Sequence, residues 1–409
     1  MRRINANRIV ERIERLAKCS TTSRGVTRLA FTDKSDQAEK LIKLWMEDAG
    51  MIVRKDEMGN IIGRYEGRNR ENSVLLVGSH SDSVPNGGKY DGTLGVISAI
   101  EAIQAFHNNQ EIPRNPIEVI SFCDEEGARF HTTFLGSRAL AGTLTTVDFS
   151  RTDDQGISVA EAMQAKNLPP ENISAAKRDS SKLLGYLELH IEQGPVLEEL
   201  NLPCGVVSGI AGVSRFSFVV RGSAGHAGTV PMRNRRDALS GCAEILLKVE
   251  QLAQQYNPIV ATVGKLVVKP GASNVIPNEV LGTLDVRGND LGKKREFLQV
   301  LFEAIDKICT IRSLNFHLEK VLEVAPVLCS ENLITLIEES LLNKGIRPVQ
   351  LISGAGHDAM AISSLTDIGM IFVRCKNGLS HCPEEYVSLE DIYTSTQVLC
   401  DTVWKVANS

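Results

Sequence analysis

The sequence predicts an α/β protein whose mainly parallel sheet is interrupted by a smaller ferredoxin-like α+β domain. Three observations carry this. Residues 36–123 alternate helix-like and strand-like segments, as units of a helix-covered parallel sheet do. From about residue 211 to 322 the elements run β-α-β-β-α-β, the order of a split ferredoxin-like unit. Residues 327–409 then resume α/β character, with Met370-Ile371-Phe372-Val373 as a buried strand. At 409 residues the chain is too long for one ordinary core. The expected division is therefore one domain from 1–210 and 323–409, and a second from 211–322.

In chain order, Gln37 to Ala49 reads as a helix, and Ile52–Arg54 and Asn60–Arg64 as short strands. Val74-Leu75-Leu76-Val77 is a continuous apolar run of the kind a fully buried parallel strand uses. A helix follows near residues 94–107, then a β-branched strand from Ile117 to Cys123. Residues 148–183 are polar and poorly periodic apart from a helical piece near Val159–Ala165, and another strand spans 183–189. In the inserted domain the strands are Arg215–Arg221, Thr262–Lys269, Glu279–Arg287 and Asn315–Leu322, with helices at Arg236–Gln254 and Lys294–Thr310.

Composition excludes several classes of function. An apolar fraction of 43% and a charged fraction of 23% are those of an ordinary soluble globular protein. A net charge of −5, with no basic run longer than Arg233-Asn234-Arg235-Arg236, leaves no electrostatic footprint for nucleic acid. No apolar run approaches the length of a membrane span. The N-terminus is helical in period and charged throughout, without the uninterrupted apolar segment of a signal peptide. Nine scattered cysteines with no Cys-x-x-Cys pair imply reduced thiols and a cytoplasmic location.

The chemistry gathers at strand ends, where ligands bind in open α/β sheets. The run Val74–Val77 leads to His80, Asp82 and, past a Pro85/Gly87/Gly88 turn, Asp91. Strand 117–123 runs into Asp124-Glu125-Glu126-Gly127, strand 183–189 into His190, and strand 370–374 into Ser380-His381. One histidine or carboxylate after a strand is unremarkable; four such events on one sheet point to a metal centre. His80, Asp91, Glu126, His190 and His381 suit two divalent cations, Zn²⁺ or Mn²⁺, with Co²⁺ or Ni²⁺ as alternatives. Asp91 is the natural bridge between ions about 3.5–4 Å apart. Asp82 is placed to fix the tautomer of His80. Glu125, beside the metals without being a ligand, is the expected base that carries a proton from water to a leaving nitrogen.

These motifs, Gly78-Ser79-His80-Ser81-Asp82, Asp91-Gly92, Asp124 to Phe130, Glu188 to Gly194 and Ser380-His381, together resemble the M20 metallopeptidase-like amidohydrolases. More narrowly they resemble the branch acting on ureido and carbamoyl compounds: allantoate amidohydrolase, N-carbamoyl-L-amino acid hydrolase and β-ureidopropionase. The resemblance spans nearly the whole chain. It implies a binuclear site, with His80 and His190 on one metal, Glu126 and His381 on the other, and Asp91 shared. It also implies that 211–322 is a lid through which a homodimer forms. His190 stands where the peptidases of the wider family carry an acid, which argues against an aminoacylase or dipeptidase. A complete ligand set argues against a non-catalytic binding module.

By the same resemblance, His226 in the small-residue loop Ser223–Pro231 reaches the partner subunit's active site and steadies an oxyanion. Arg215, Asn274 and Arg287 match positions that hold a substrate carboxylate, and Gln193 and Gly356 are weaker candidates for substrate contact. The segments Phe134–Gly142 and Ser353–Ala359 look more like those of allantoate amidohydrolases. The expected reaction is therefore hydrolysis of allantoate to ureidoglycine, ammonia and carbon dioxide, with N-carbamoyl-L-amino acids as the alternative substrates. His107, His131 and His317 are assigned to structure or surface.

Overall fold

The computed structural model describes residues 2–409. Its strands are β1 (Ile52–Lys55), β2 (Ile61–Tyr65), β3 (Val74–His80), β4 (Ile117–Phe122), β5 (Leu183–Ile191), β6 (Cys204–Ile210), β7 (Gly212–Arg221), β8 (Val260–Lys269), β9 (Glu279–Gly288), β10 (Asn315–Val324), β11 (Val327–Leu328), β12 (Gln350–Ser353) and β13 (Ile368–Val373). The helices are α1 (Ala6–Ala17), α2 (Asp33–Asp48), α3 (Thr93–Asn108), α4 (Leu135–Ala141), α5 (Thr146–Phe149), α6 (Val159–Ala165), α7 (Val196–Glu199), α8 (Ala238–Gln255), α9 (Leu291–Ile311), α10 (Glu331–Leu342), α11 (Asp358–Ile362) and α12 (Leu389–Asn408). No helix among the described residues is long and apolar enough to cross a membrane.

Two compact units result. One holds the chain up to Ser208 and from Cys329 onward, and the other is Gly209–Leu328. The second unit thus begins at Gly209 rather than Ala211 and runs to Leu328 rather than Leu322. The extension has a cause in pairing: β10 stays on β7 as far as Val324↔Val213, and β11 pairs Val327 with Ile210.

The large sheet has the order β1-β2-β4-β3-β5-β13-β6-β11, with β12 also on β6. Its centre, β4-β3-β5-β13, is parallel. β1, β2, β6 and β11 are antiparallel to their neighbours, so the sheet is mixed rather than uniformly parallel. Residues of β3, β4 and β13 are buried without exception, which is why β3 begins with and β13 ends in a continuous apolar run, while β4 also buries Glu118 and Ser121. β6 escaped sequence reading because Gly205 and Gly209 break its apolar pattern.

Helix α3 is buried from Thr93 to Phe106 and mostly apolar, because it packs on β3 and β5 and is covered by α1 and α12. Gly95 permits that approach: a Cβ there would stand 2.2 Å from Leu189 O. One acid, Glu101, lies inside this layer, held bidentately by Arg8 of α1 at 2.7 Å to each oxygen. Within residues 148–183 the helical piece read at Val159–Ala165 is α6, and with the other short helices it packs around a core that includes Phe130, Leu135, Val159 and Met163. The others carry too few residues for a period to show.

The second unit is a four-stranded antiparallel sheet of order β10-β7-β9-β8, covered by α8 and α9. Strict alternation on β7 and β9 buries Phe216, Phe218, Val220, Val280, Leu284 and Val286 against Ile245, Phe297 and Leu301. Arg215, Asp285 and Arg287 point to the opposite face of that sheet.

Candidate metal centre

Because β4, β3, β5 and β13 are adjacent and parallel, their carboxyl ends open on one edge. His80 ends β3, the Glu125-Glu126 pair follows β4, His190 is the penultimate residue of β5, and His381 lies in the loop after β13. Asp91 arrives on the connection into α3. The Gly92 that follows it has φ 59°, and a Cβ there would meet the His80 ring at 2.3 Å. The Asp-Gly pair therefore reflects close packing as well as chemistry.

Asp91 is the hub. Its Oδ1 lies 3.0 Å from His190 Nε2 and 3.6 Å from His80 Nε2, and its Oδ2 lies 3.2 Å from His381 Nε2. Glu126 Oε2 is 3.6 Å from His381 Nε2, and Glu125 Oε2 is 3.8 Å from His80 Nε2. The His80 and His190 rings stack at 5.7 Å. Main-chain carbonyls face both Nδ1 atoms, Asp82 O at 3.2 Å from His80 and Ile191 O at 2.9 Å from His190. With Nδ1 carrying the proton, both Nε2 atoms are free to act as ligands. His381 is half exposed and Glu126 partly buried, while His80, Asp91, Glu125 and His190 are buried, so the cluster opens to solvent on the His381 side.

Two expectations change here. Asp82 meets the His80 ring through its main-chain oxygen, and its carboxylate stands farther off at 3.6 Å. The carboxylate instead accepts the N–H groups of Glu125 and Glu126, both at 3.1 Å, and so orients the glutamate pair. Gln193, a candidate for substrate contact, donates from Nε2 to Asp91 Oδ2 at 2.9 Å. Ser380 Oγ donates to the same oxygen at 2.8 Å. Asp124, Gln193 and His381 all have φ between 54° and 57°. Three non-glycine residues in the left-handed region around one cluster are strain that the surrounding contacts must hold.

Buried acids outnumber buried bases here, and the protonation pattern follows. Burial pushes Glu125 well above the usual carboxylate range, with Glu126 adding to the rise against the pull of His80. Burial and Asp91 push Glu126 up to about 7. Asp91 goes the other way: three imidazoles outweigh its burial and hold it well below its ordinary value. The hydrogen bond to Asp91 raises His381 to about 9, against its partial burial. Burial would lower His80, but Glu125, Asp82 and Asp91 together raise it well above its ordinary value.

The donor set fits divalent cations. In His80/Asp91/His190, and again in Asp91/Glu126/His381, the ligand atoms lie within 4.8 Å of one another. Glu126 Oε1 is buried with no hydrogen-bond donor, as a vacant ligand oxygen would be. A further group, Glu188/His190/His357, is compact. Its atoms are engaged elsewhere, however: Glu188 accepts from Ser79 Oγ and Ala359 N, and His357 Nε2 is 2.7 Å from Ser353 Oγ. His357 packs edge-on to His190 at 4.4 Å, and burial and His190 hold it well below its ordinary pKa. Gly356 lies against Phe134, whose Cζ would be 2.7 Å from an added Cβ.

The remaining candidates lie in the second unit. His226 is exposed, accepts the Gly228 N–H at 3.1 Å and forms an isolated bridge with Val275. The adjacent Ala227 N–H donates to Asn274 O at 2.9 Å, so the His226 and Asn274 loops are joined. Arg215 and Arg287 both hold Asp285, at 2.8 Å each.

The family model of peptidase family M20/M25/M40 matches residues 76–405, and the chain belongs to that family of hydrolases. It is 42% identical to an N-carbamoyl-L-amino acid amidohydrolase of Geobacillus stearothermophilus, over 99% of both chains. It is 41% identical to an allantoate deiminase of Arabidopsis thaliana, over 94% of this chain and 79% of that protein. A crystal structure of an amidase of the hydantoinase/carbamoylase family from Burkholderia multivorans matches it with a TM-score of 0.93 at 32% identity, over 100% of this chain and 99% of that one.

The raised Glu126 and His381 give a direct prediction. At pH 7 His381 holds a proton and Glu126 holds one part of the time, and a bound cation must displace them. Calorimetric titration of metal-free protein with Mn²⁺ in buffers of different ionisation enthalpy should show proton release. Affinity should rise with pH until it passes about 9, as Glu126 and then His381 give up their protons. Binding without proton release would contradict the ligand assignment.

Proposed function

We propose that the chain is a binuclear metal-dependent amidohydrolase of ureido acids, with allantoate as its substrate. The observation that carries the reading is the buried Glu125, held by its own main-chain N–H on Asp82 beside two donor triads that share Asp91. Two divalent cations, Zn²⁺ or Mn²⁺ with Co²⁺ or Ni²⁺ as alternatives, would be held by His80 and His190 and by Glu126 and His381, with Asp91 common to both. When bound they supply the Lewis acidity that polarises a ureido carbonyl and acidifies water.

The chain's own residues do the rest. Glu125 takes the proton of the attacking water and returns it to the leaving nitrogen as the C–N bond breaks. Its burial suits that task, since a raised pKa lets the group hold the proton between the two transfers. Arg215, Arg287 and Asn274 anchor the substrate carboxylate, the arginines with guanidinium groups that Asp285 orients. His226 of a partner subunit in a homodimer steadies the tetrahedral oxyanion. Allantoate and water then give ureidoglycine, ammonia and carbon dioxide.

Support for allantoate comes from the Phe134–Gly142 and Ser353–Ala359 segments. They resemble those of allantoate amidohydrolases and pack on one another through α4 and α11. A second reading, an N-carbamoyl-L-amino acid hydrolase, is favoured by the 42% identity to an enzyme of that name.

Ammonia release from Mn²⁺-loaded protein, with allantoate and a panel of N-carbamoyl-L-amino acids side by side, decides between them. The expected result is a kcat/KM preference for allantoate of ~100-fold, about 2.7 kcal/mol of transition-state discrimination. A preference of that size for a carbamoyl amino acid would keep the mechanism and overturn the substrate. Glu125→Gln should keep its metal content while kcat falls by about 10²–10⁴-fold. Mixed with His226→Ala protein under verified subunit exchange, it should regain part of that activity through hybrid dimers. No recovery would remove the cross-subunit role of His226.

A further inference from the structure

Glu385 was not singled out by its sequence, and it has no place among the donor triads. Its carboxylate is nevertheless buried directly behind the bridging Asp91. Oε1 accepts the main-chain N–H groups of Tyr90 at 2.8 Å and Asp91 at 3.0 Å. Oε2 lies 3.3 Å from Ser380 Oγ, the hydroxyl that donates to Asp91 Oδ2. Space for this carboxylate is made by Gly88, where a Cβ would stand 2.1 Å from Glu385 Oε1. Asp91 and His381 thus sit on two irregular loops, one between β3 and α3 and the other between β13 and α12. A metal site requires its ligands to be held within about 0.5 Å, which loops achieve only when something ties them.

We infer that Glu385 is a positioning residue, which with Ser380 locks the Asp91 loop to the His381 loop and so sets the geometry of the Asp91/Glu126/His381 site. The inference rests on the binuclear reading above. Glu385 acts as an acceptor, fixing the direction of the peptide that carries Asp91, while Ser380 fixes the rotation of the Asp91 carboxylate. The tie spans nearly 300 residues of sequence and joins the first ligand loop to the last. It therefore makes the Glu126/His381 side depend on the closure of the unit's C-terminal segment. The His80/His190 side stands on strand ends and depends on the tie less.

The test is calorimetric titration of the metal-free full-length protein with Mn²⁺, comparing wild type with Glu385→Ala, Glu385→Gln and Ser380→Ala. Two binding events are expected in wild type. Glu385→Ala should weaken one of them by about 10–100-fold and the other by less than about 5-fold, the range typical when a group supporting a ligand is lost. Glu385→Gln, whose amide oxygen can still accept both N–H groups, should stay within about 5-fold of wild type at both sites. Wild-type affinities in Glu385→Ala would overturn the inference, as would equal losses in the Gln and Ala variants, which would make charge rather than positioning the cause. Should Glu385→Ala fail to fold, as its circular dichroism would reveal, Ser380→Ala decides, because unchanged affinity at both sites there would overturn the tie. Absence of binding by the wild type would instead remove the binuclear reading itself.

Discussion

Everything at the sheet edge depends on how one carboxylate, Asp91, is shared. One oxygen faces His190 and His80, the other faces His381, and Gln193 and Ser380 fix the rotation of the group between them. Around this hub the chain buries Asp82, Asp124 and Glu125 and half-buries Glu126. Burying so many acids together is costly unless positive charge is supplied. In the metal-free protein that charge comes from protons, which is why Glu125, Glu126, His80 and His381 all titrate higher than usual. Divalent cations held by this cluster would replace those protons. The cluster is therefore built as a preformed negative trap, and its affinity for cations and its proton balance are two aspects of one arrangement.

The fold exists to hold that trap in register. Four adjacent parallel strands end together, and α3 is buried all round so that its entry, with Asp91 and Gly92, lies directly against the ring of His80. The loop that follows His80 is pinned by the buried Arg28, whose Nε donates to Ser81 O at 2.6 Å and whose main-chain N–H donates to Ser83 Oγ at 3.0 Å. Strand ends place His80 and His190, and loops place Asp91, Glu126 and His381.

Much of this was legible in the sequence, for physical reasons. A buried strand is mostly apolar, so the histidine or paired acids at its carboxyl end stand out, as at His80, Glu125-Glu126 and His190. The second unit was readable because β7 and β9 each have one buried and one exposed face. What stayed hidden depends on tertiary contact. The partners of Asp82 lie 43 and 44 residues away, and those of Glu385 294 and 295 away, so no local pattern marks them. Gln193 turns onto Asp91 with φ 56°, a conformation that its residue type does not announce. The edges of the second unit were misplaced because strand pairing, not composition, decides where β10 and β11 stop.

Whether Asp91 is shared between two cation sites, as we propose, is read from anomalous diffraction of crystals grown with Mn²⁺. Two peaks flanking Asp91 are expected, one within ligand distance of His80 and His190 and the other of Glu126 and His381. A single peak, or a pair to which Asp91 contributes no oxygen, would contradict it.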